Sequence, residues 1–136
     1  MAAQFTNSTQ QALQQAQAEA IRREQQELQP EHLLYAFLDS HDDESALVPN
    51  MLQLAGVNLP ALKARVQSEL SKFPRVSGGS GQIYSSPTFN RLMVLAEDEA
   101  KQMKDEFVSG EHFLLALFHS QFKGTAAAKL LSESGL

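Results

Sequence analysis

The sequence predicts an all-α domain: two tandem four-helix repeats related by a pseudo-twofold axis, with the last helix of the second repeat truncated. Three observations carry that expectation. The decapeptide EHLLYAFLDS, Glu31 to Ser40, reappears as EHFLLALFHS at Glu111 to Ser120. Residues Thr6 to Ser40 also slide onto Ser86 to Ser120 at a constant offset of 80 without a gap. Eight of the thirty-five positions are identical (Ala16/Ala96, Glu19/Glu99, Ala20/Ala100, Glu31/Glu111, His32/His112, Leu34/Leu114, Ala36/Ala116, Ser40/Ser120), where chance gives roughly two or three. Finally, apolar residues recur in steps of three and four, and no strand-like alternation appears. The expected boundaries are repeat 1 at 1–72, a linker at 73–85 and repeat 2 at 86–136.

The elements follow in order. Thr6 caps a first helix that carries Leu13, Ala16, Ala20 and Ile21. The decapeptide opens a second helix after Pro30, and Glu31 lies in its first turn, where a carboxylate faces the positive end of the helix dipole. A third helix runs from about Ser45 to Ala55 and stops at Gly56, a natural C′ residue. A fourth runs from about Leu59 to Lys72, with Pro60 inside its start. FPRVSGGSGQIY, rich in Gly and Ser, joins the halves. In the second repeat Ser86 is an N-cap and Pro87 the first helical residue. Phe89, Leu92, Met93, Ala96, Ala100, Met103 and Phe107 share one stripe of the helix that follows. The second decapeptide enters after Gly110 with Glu111 in its first turn. LLSESGL then matches MLQLAGV one residue out of step, placing Gly135 against Gly56.

Composition narrows the function. A net charge of -5 and a pI near 5.3 argue against nucleic acid or an anionic membrane as partner and favour polypeptide or a cationic group. There is no cysteine, which excludes disulfides and thiolate chemistry. The first residues lack the basic and apolar regions of a signal peptide, so a cytoplasmic location is expected. His112 and His119 are seven apart, not the three or four typical of metal-binding helices, so no metal site is expected. No phosphate-binding loop and no defensible Ser, His and Asp grouping occurs. The chain is expected to be neither an enzyme nor a cofactor binder.

Two features suggest binding. Glu31 and Glu111, with the caps Thr6 and Ser86, occupy equivalent positions, and two carboxylates so placed suit a guanidinium or ammonium group. Helix starts alone also explain them. Val94 and Leu95 fall outside the apolar stripe of their helix and need another partner, either the second repeat or a peptide in a groove.

The stretches FTNSTQQALQQAQAEA, QPEHLLYAFL, KFPRVSGGSGQIYSSPTFNRLMVLAEDEAK and KDEFVSGEHFLLAL resemble the N-terminal domain of Clp/Hsp100 AAA+ chaperones over nearly the whole chain, the ClpB type above all. The resemblance implies a compact, non-catalytic domain, monomeric when isolated, tethered to an ATP-driven hexameric ring. Such a domain captures unfolded or aggregated polypeptide in a groove and passes it to the ring. It further implies substrate contacts at Thr6, Leu95, Asp105 and Glu111, with Glu31, Ser86 and Val94 as a second half-site or groove. An alternative it implies is a receptor for an adaptor or a phosphoarginine-type degradation tag.

Overall fold

The computed structural model describes residues 4–39, 47–75, 83–118 and 125–133. Seven helices are present among them: α1 (Asn7–Arg22), α2 (Pro30–Leu38), α3 (Leu47–Leu54), α4 (Leu59–Leu70), α5 (Pro87–Gln102), α6 (Gly110–Leu117) and α7 (Ala126–Glu133). Expected features at Ser40, Ser45, His119, Ser120 and Gly135 lie outside the described residues.

The helix boundaries follow from local chemistry. Thr6 and Ser86, both extended, accept hydrogen bonds from the N–H groups of Thr9 and Phe89, and so begin α1 and α5 at equivalent places. Asn58 does the same for α4 through the N–H of Ala61, satisfying donors that the first helical turn leaves free. The two long helices also end alike. Glu24 and Lys104 adopt left-handed backbone, at φ of 58° and 60°. The next residues, Gln25 and Asp105, donate from their N–H groups to the carbonyls of Ala20 and Ala100, both at 2.9 Å. Such a stop is ordinarily given to glycine, which hid it from the sequence. Only Gly56, at φ of 89°, follows the glycine rule for ending α3.

Four two-residue strands were not expected: β1 (Gln4–Phe5), β2 (Glu27–Leu28), β3 (Tyr84–Ser85) and β4 (Phe107–Val108). They are too short to display a period of two. Their pairing is nonetheless the clearest record of the duplication. β1 lies parallel to β4 with Gln4 opposite Phe107, and β2 lies parallel to β3 with Glu27 opposite Tyr84. Moving the first-repeat member of either pair forward by 80 and the second-repeat member back by 80 gives the other pair with the repeats exchanged, which is what a twofold relation demands. Each repeat therefore opens with a strand that is bonded to its partner repeat.

The core sits on that axis. α1 packs on α2 and α5 on α6, and α2 and α6 bring Leu33, Leu34, Phe37, Phe113, Leu114 and Leu117 together around a void of about 10 Å3. Phe113, fully buried, meets the rings of Phe5 and Phe37 at 6.3 and 5.9 Å between centroids. Gly110 is needed here because of a close approach. A Cβ at that position would stand 2.6 Å from Cγ2 of Val48 and 3.2 Å from Cε1 of Phe37.

Two stripe assignments need correction. In α1 the buried line is Thr9, Ala12, Ala16 and Ala20, whereas Ile21 is 54% exposed and Leu13 only partly buried. In repeat 2 the helix stops at Gln102, so Met103 and Phe107 leave the stripe and are each 45% exposed. The stretch between the repeats is anchored at both ends: Phe73 and Ile83 pack against the core, and Nε of Arg75 donates to the carbonyl of Arg23.

Candidate functional site

The duplicated Glu-His pair shows what each letter does. In both repeats the histidine occupies the third position of its helix, and Nδ1 accepts the backbone N–H of the N-cap residue: Gln29 for His32 and Ser109 for His112, each at 2.9 Å. Nδ1 is thus an acceptor, so the neutral ring carries its hydrogen on Nε2. That hydrogen goes to Gln25 Oε1 from His32, at 2.7 Å, and to Asp105 Oδ2 from His112, at 2.8 Å. Gln25 and Asp105 are themselves one offset apart. The spacing of seven from Gln25 or Asp105 to the histidine was a readable signal, and only the repeat alignment would have exposed it.

The surroundings then diverge. Gln25 is buried and its amide Nε2 donates to the carbonyl of Leu70 at 2.6 Å, joining α1's end to α4's end. Burial pushes the His32 pKa down to about 4, because a charged imidazole there would lose its water. Asp105 instead keeps 44% of its side chain exposed.

The glutamates part company more sharply. Glu31 is 3% exposed and accepts the backbone N–H of Ala127, at 2.9 Å, at the start of α7 in the other repeat. Burial pushes its pKa up, against the lowering effect of that hydrogen bond. Its carboxylate is a cap for a helix of repeat 2 rather than an open rim group, which corrects the expectation of a solvent-facing second half-site. Ser86, 3% exposed with its hydroxyl held by Phe89, shares that closure. Glu111 is half-buried and has no hydrogen bond or ion pair among the described residues.

The strand exchange also decides which cap accompanies which glutamate. Thr6 donates its N–H to the carbonyl of Val108 at 3.1 Å, and Ser86 donates to Leu28 at 3.0 Å. Thr6 therefore stands beside the segment leading into Glu111, and Ser86 beside the one leading into Glu31. The pairs cross between repeats, which the sequence could not show. Thr6, half-exposed, hydrogen-bonds Thr9 through its hydroxyl at 2.7 Å.

Asp105, Glu111 and His112 each place one donor atom within 4.8 Å of the others. A metal would have to displace the proton that His112 Nε2 gives to Asp105. On α5, Val94 is 56% exposed and Leu95 packs partly buried against the core. Of the expected contact residues, the structure thus brings Asp105 and Glu111 together at the head of α6, with Thr6 bonded to the strand that leads into it, while Glu31 and Ser86 are buried at the head of α2.

With seven helices about an internal twofold and paired Glu-His helix starts, the molecule can be placed. The chain belongs to the Clp repeat (R) N-terminal domain family, which matches residues 4–134. It is similar to the chaperone protein ClpB of Nitratidesulfovibrio vulgaris, 41% identical over 116 residues that make up 83% of this chain and 13% of the relative. It is likewise similar to ClpB of Rhizobium meliloti, 36% identical over 124 residues, 91% of this chain and 14% of the relative. The chain thus spans about a seventh of the curated relatives it matches. Among solved structures, the Hsp104 N-terminal domain from Candida albicans aligns with a TM-score of 0.82 at 22% identity, covering 98% of this chain and 83% of that one. The N-terminal domain of the ClpV1 ATPase from E. coli aligns at 0.81 with 19% identity, covering 97% and 79%. No helix among the described residues is long and apolar enough to cross a membrane.

Proposed function

We propose that this domain is a non-catalytic polypeptide-binding module of a ClpB-like ATP-driven disaggregase. It captures apolar, basic segments of unfolded or aggregated chains at the head of α6 and along α5 for delivery to the ring of its parent hexamer. The observation that carries this reading is the partly exposed Glu111, without a hydrogen bond or ion pair among the described residues, beside Asp105 and following the strand that Thr6 bonds, on a helix packed against α5 with its exposed Val94. Family membership supplies the context, and the division into repeat 1 (1–72), linker (73–85) and repeat 2 (86–136) belongs to the same proposal. Carboxylates at a partly desolvated rim select Lys and Arg, and apolar residues beside them hold aliphatic and aromatic side chains without sequence preference. Affinity in the micromolar to millimolar range, about 4 to 8 kcal/mol, suits a device that must release what it holds. The test is NMR shift mapping with an unfolded apolar and basic peptide: residues around Leu95 and Glu111 shift in a saturable way. Shifts confined to the Glu31 side, or none at millimolar peptide, contradict it.

The receptor alternative requires both glutamates. Glu31 is held by the N–H of Ala127, which weighs against a symmetric pair of tag sites. Saturable binding of free phosphoarginine, abolished by Glu31→Ala with Glu111→Ala, is the result that would favour it.

A further inference from the structure

The two histidines are anchored alike but hold different groups. Each neutral ring needs one acceptor for its Nε2–H. In repeat 1 an amide meets that need: Gln25 accepts from His32 at 2.7 Å, and its own Nε2 donates to the carbonyl of Leu70. That chain of bonds closes inside the fold and carries no charge. In repeat 2 the same bond ends on Oδ2 of Asp105, at 2.8 Å. The histidine does not require a carboxylate there, because the amide of Gln25 serves its counterpart. Among the described residues the Asp105 charge has no Lys or Arg partner, and its Oδ1 has no hydrogen bond. The ring does not cancel that charge, since the Ser109 N–H at Nδ1 leaves it neutral. One carboxylate oxygen of Glu111, itself without a hydrogen bond or ion pair among the described residues, lies within 4.8 Å of one of Asp105. Two like charges kept this close repel, and a cation between them relieves the repulsion.

We infer that His112 is a positioning residue for cation capture. It holds the Asp105 carboxylate, with its charge uncancelled, at a spacing from Glu111 that one guanidinium or ammonium group of a bound polypeptide bridges. The inference rests on the polypeptide-capturing role proposed above and specifies how its acidic part works. Asp105 is exposed enough to turn, with 44% of its side chain accessible, whereas His112 is 2% exposed and bonded at both ring nitrogens. The fixed ring therefore sets the mobile carboxylate before the ligand arrives. Ordering a side chain in advance, instead of during binding, strengthens affinity by about twofold to tenfold. Repeat 1 keeps the anchor without the charge, so only the second copy reads a cation in this way.

The experiment compares two unfolded peptides, one with apolar residues around an arginine and its twin with citrulline, the uncharged isostere. His112→Gln keeps an acceptor for the Ser109 N–H, as a capping box does, but releases Asp105. It should weaken the arginine peptide by about fivefold and the citrulline peptide by less than about twofold. Asp105→Asn should weaken the arginine peptide by about tenfold. In that background His112→Gln should add less than about twofold, because a residue that acts through Asp105 has no charge left to place. Circular dichroism and melting curves check the fold of each variant. Without any substitution, the His112 ring signals in NMR should keep the Nε2–H tautomer and shift with the arginine peptide but not with its twin. Equal losses for both peptides in His112→Gln assign the histidine to helix stability alone and overturn the inference. So does a further loss of about fivefold in the Asp105→Asn background. If both peptides bind equally and saturably around Leu95, polypeptide capture stands and cation positioning falls. Absence of saturable binding by either peptide removes both.

Discussion

The heads of α2 and α6 are built from one phrase, yet one is closed and the other open. Both hold a neutral histidine in the same tautomer between an N-cap N–H and an acceptor seven residues upstream. At α2 the acceptor is a buried amide and the neighbouring glutamate caps α7. At α6 the acceptor is a half-exposed carboxylate and the neighbouring glutamate has no hydrogen bond or ion pair among the described residues. Duplication has preserved the scaffold, the His-anchored helix start, and released the residues around it. In one copy the glutamate joins the repeats, and in the other the acidic pair stays partly exposed.

That contrast can be broken at several levels. The shared core should be hit equally from either repeat. Phe113→Ala is expected to cost about 4 kcal/mol and its counterpart Leu33→Ala about 3, read from urea melts. A loss under about 1 kcal/mol at either position would mean that the repeats do not share a core.

Acid should act through repeat 1. Burial lowers the His32 pKa to about 4. The neutral ring's contribution is therefore complete above the unfolded value near 6.5 and is lost as pH falls toward 4, amounting to up to about 3 kcal/mol. Glu31 works in the opposite direction: its pKa is raised, so its contribution is present at low pH and lost as pH rises through the raised value. His32→Asn, whose Oδ1 can still accept from Gln29, should remove the His32 part. An unaltered pH profile in that variant contradicts the assignment.

At Gly110, substitution by Ala should cost about 2 kcal/mol through the clash with Val48, whereas Pro30→Ala at the equivalent position should cost less than half of that. The smallest effects separate the two glutamates. Glu31→Ala should lower stability by about 1 kcal/mol, as loss of a helix cap does, and Glu111→Ala by less than about 0.5.

Much of this architecture was legible. The offset of 80 predicted two equivalent helical sets, and Thr6, Ser86, Pro30, Pro87 and Gly56 marked boundaries that the structure keeps. Three things were not. The strands are two residues long and carry no pattern, so the exchange that sets Thr6 beside Glu111 was invisible. Glu24 and Lys104 end helices in a conformation usually left to glycine, so Met103 and Phe107 were assigned to a stripe they do not share. The fate of Glu31 depends on Ala127, 96 residues away, and a carboxylate at a helix start reads the same whether it caps its own helix or another. Sequence gave the equivalence of the two sites, while only packing could break it.

The claim at the centre of this account is that the second site binds and the first supports. The direct test is the affinity of an unfolded apolar and basic peptide for three proteins: the parent domain, Glu31→Ala and Glu111→Ala, at neutral pH and low salt. The account predicts that Glu111→Ala weakens binding by about tenfold and Glu31→Ala by less than about twofold. Equal losses, or a larger loss at Glu31, would contradict it.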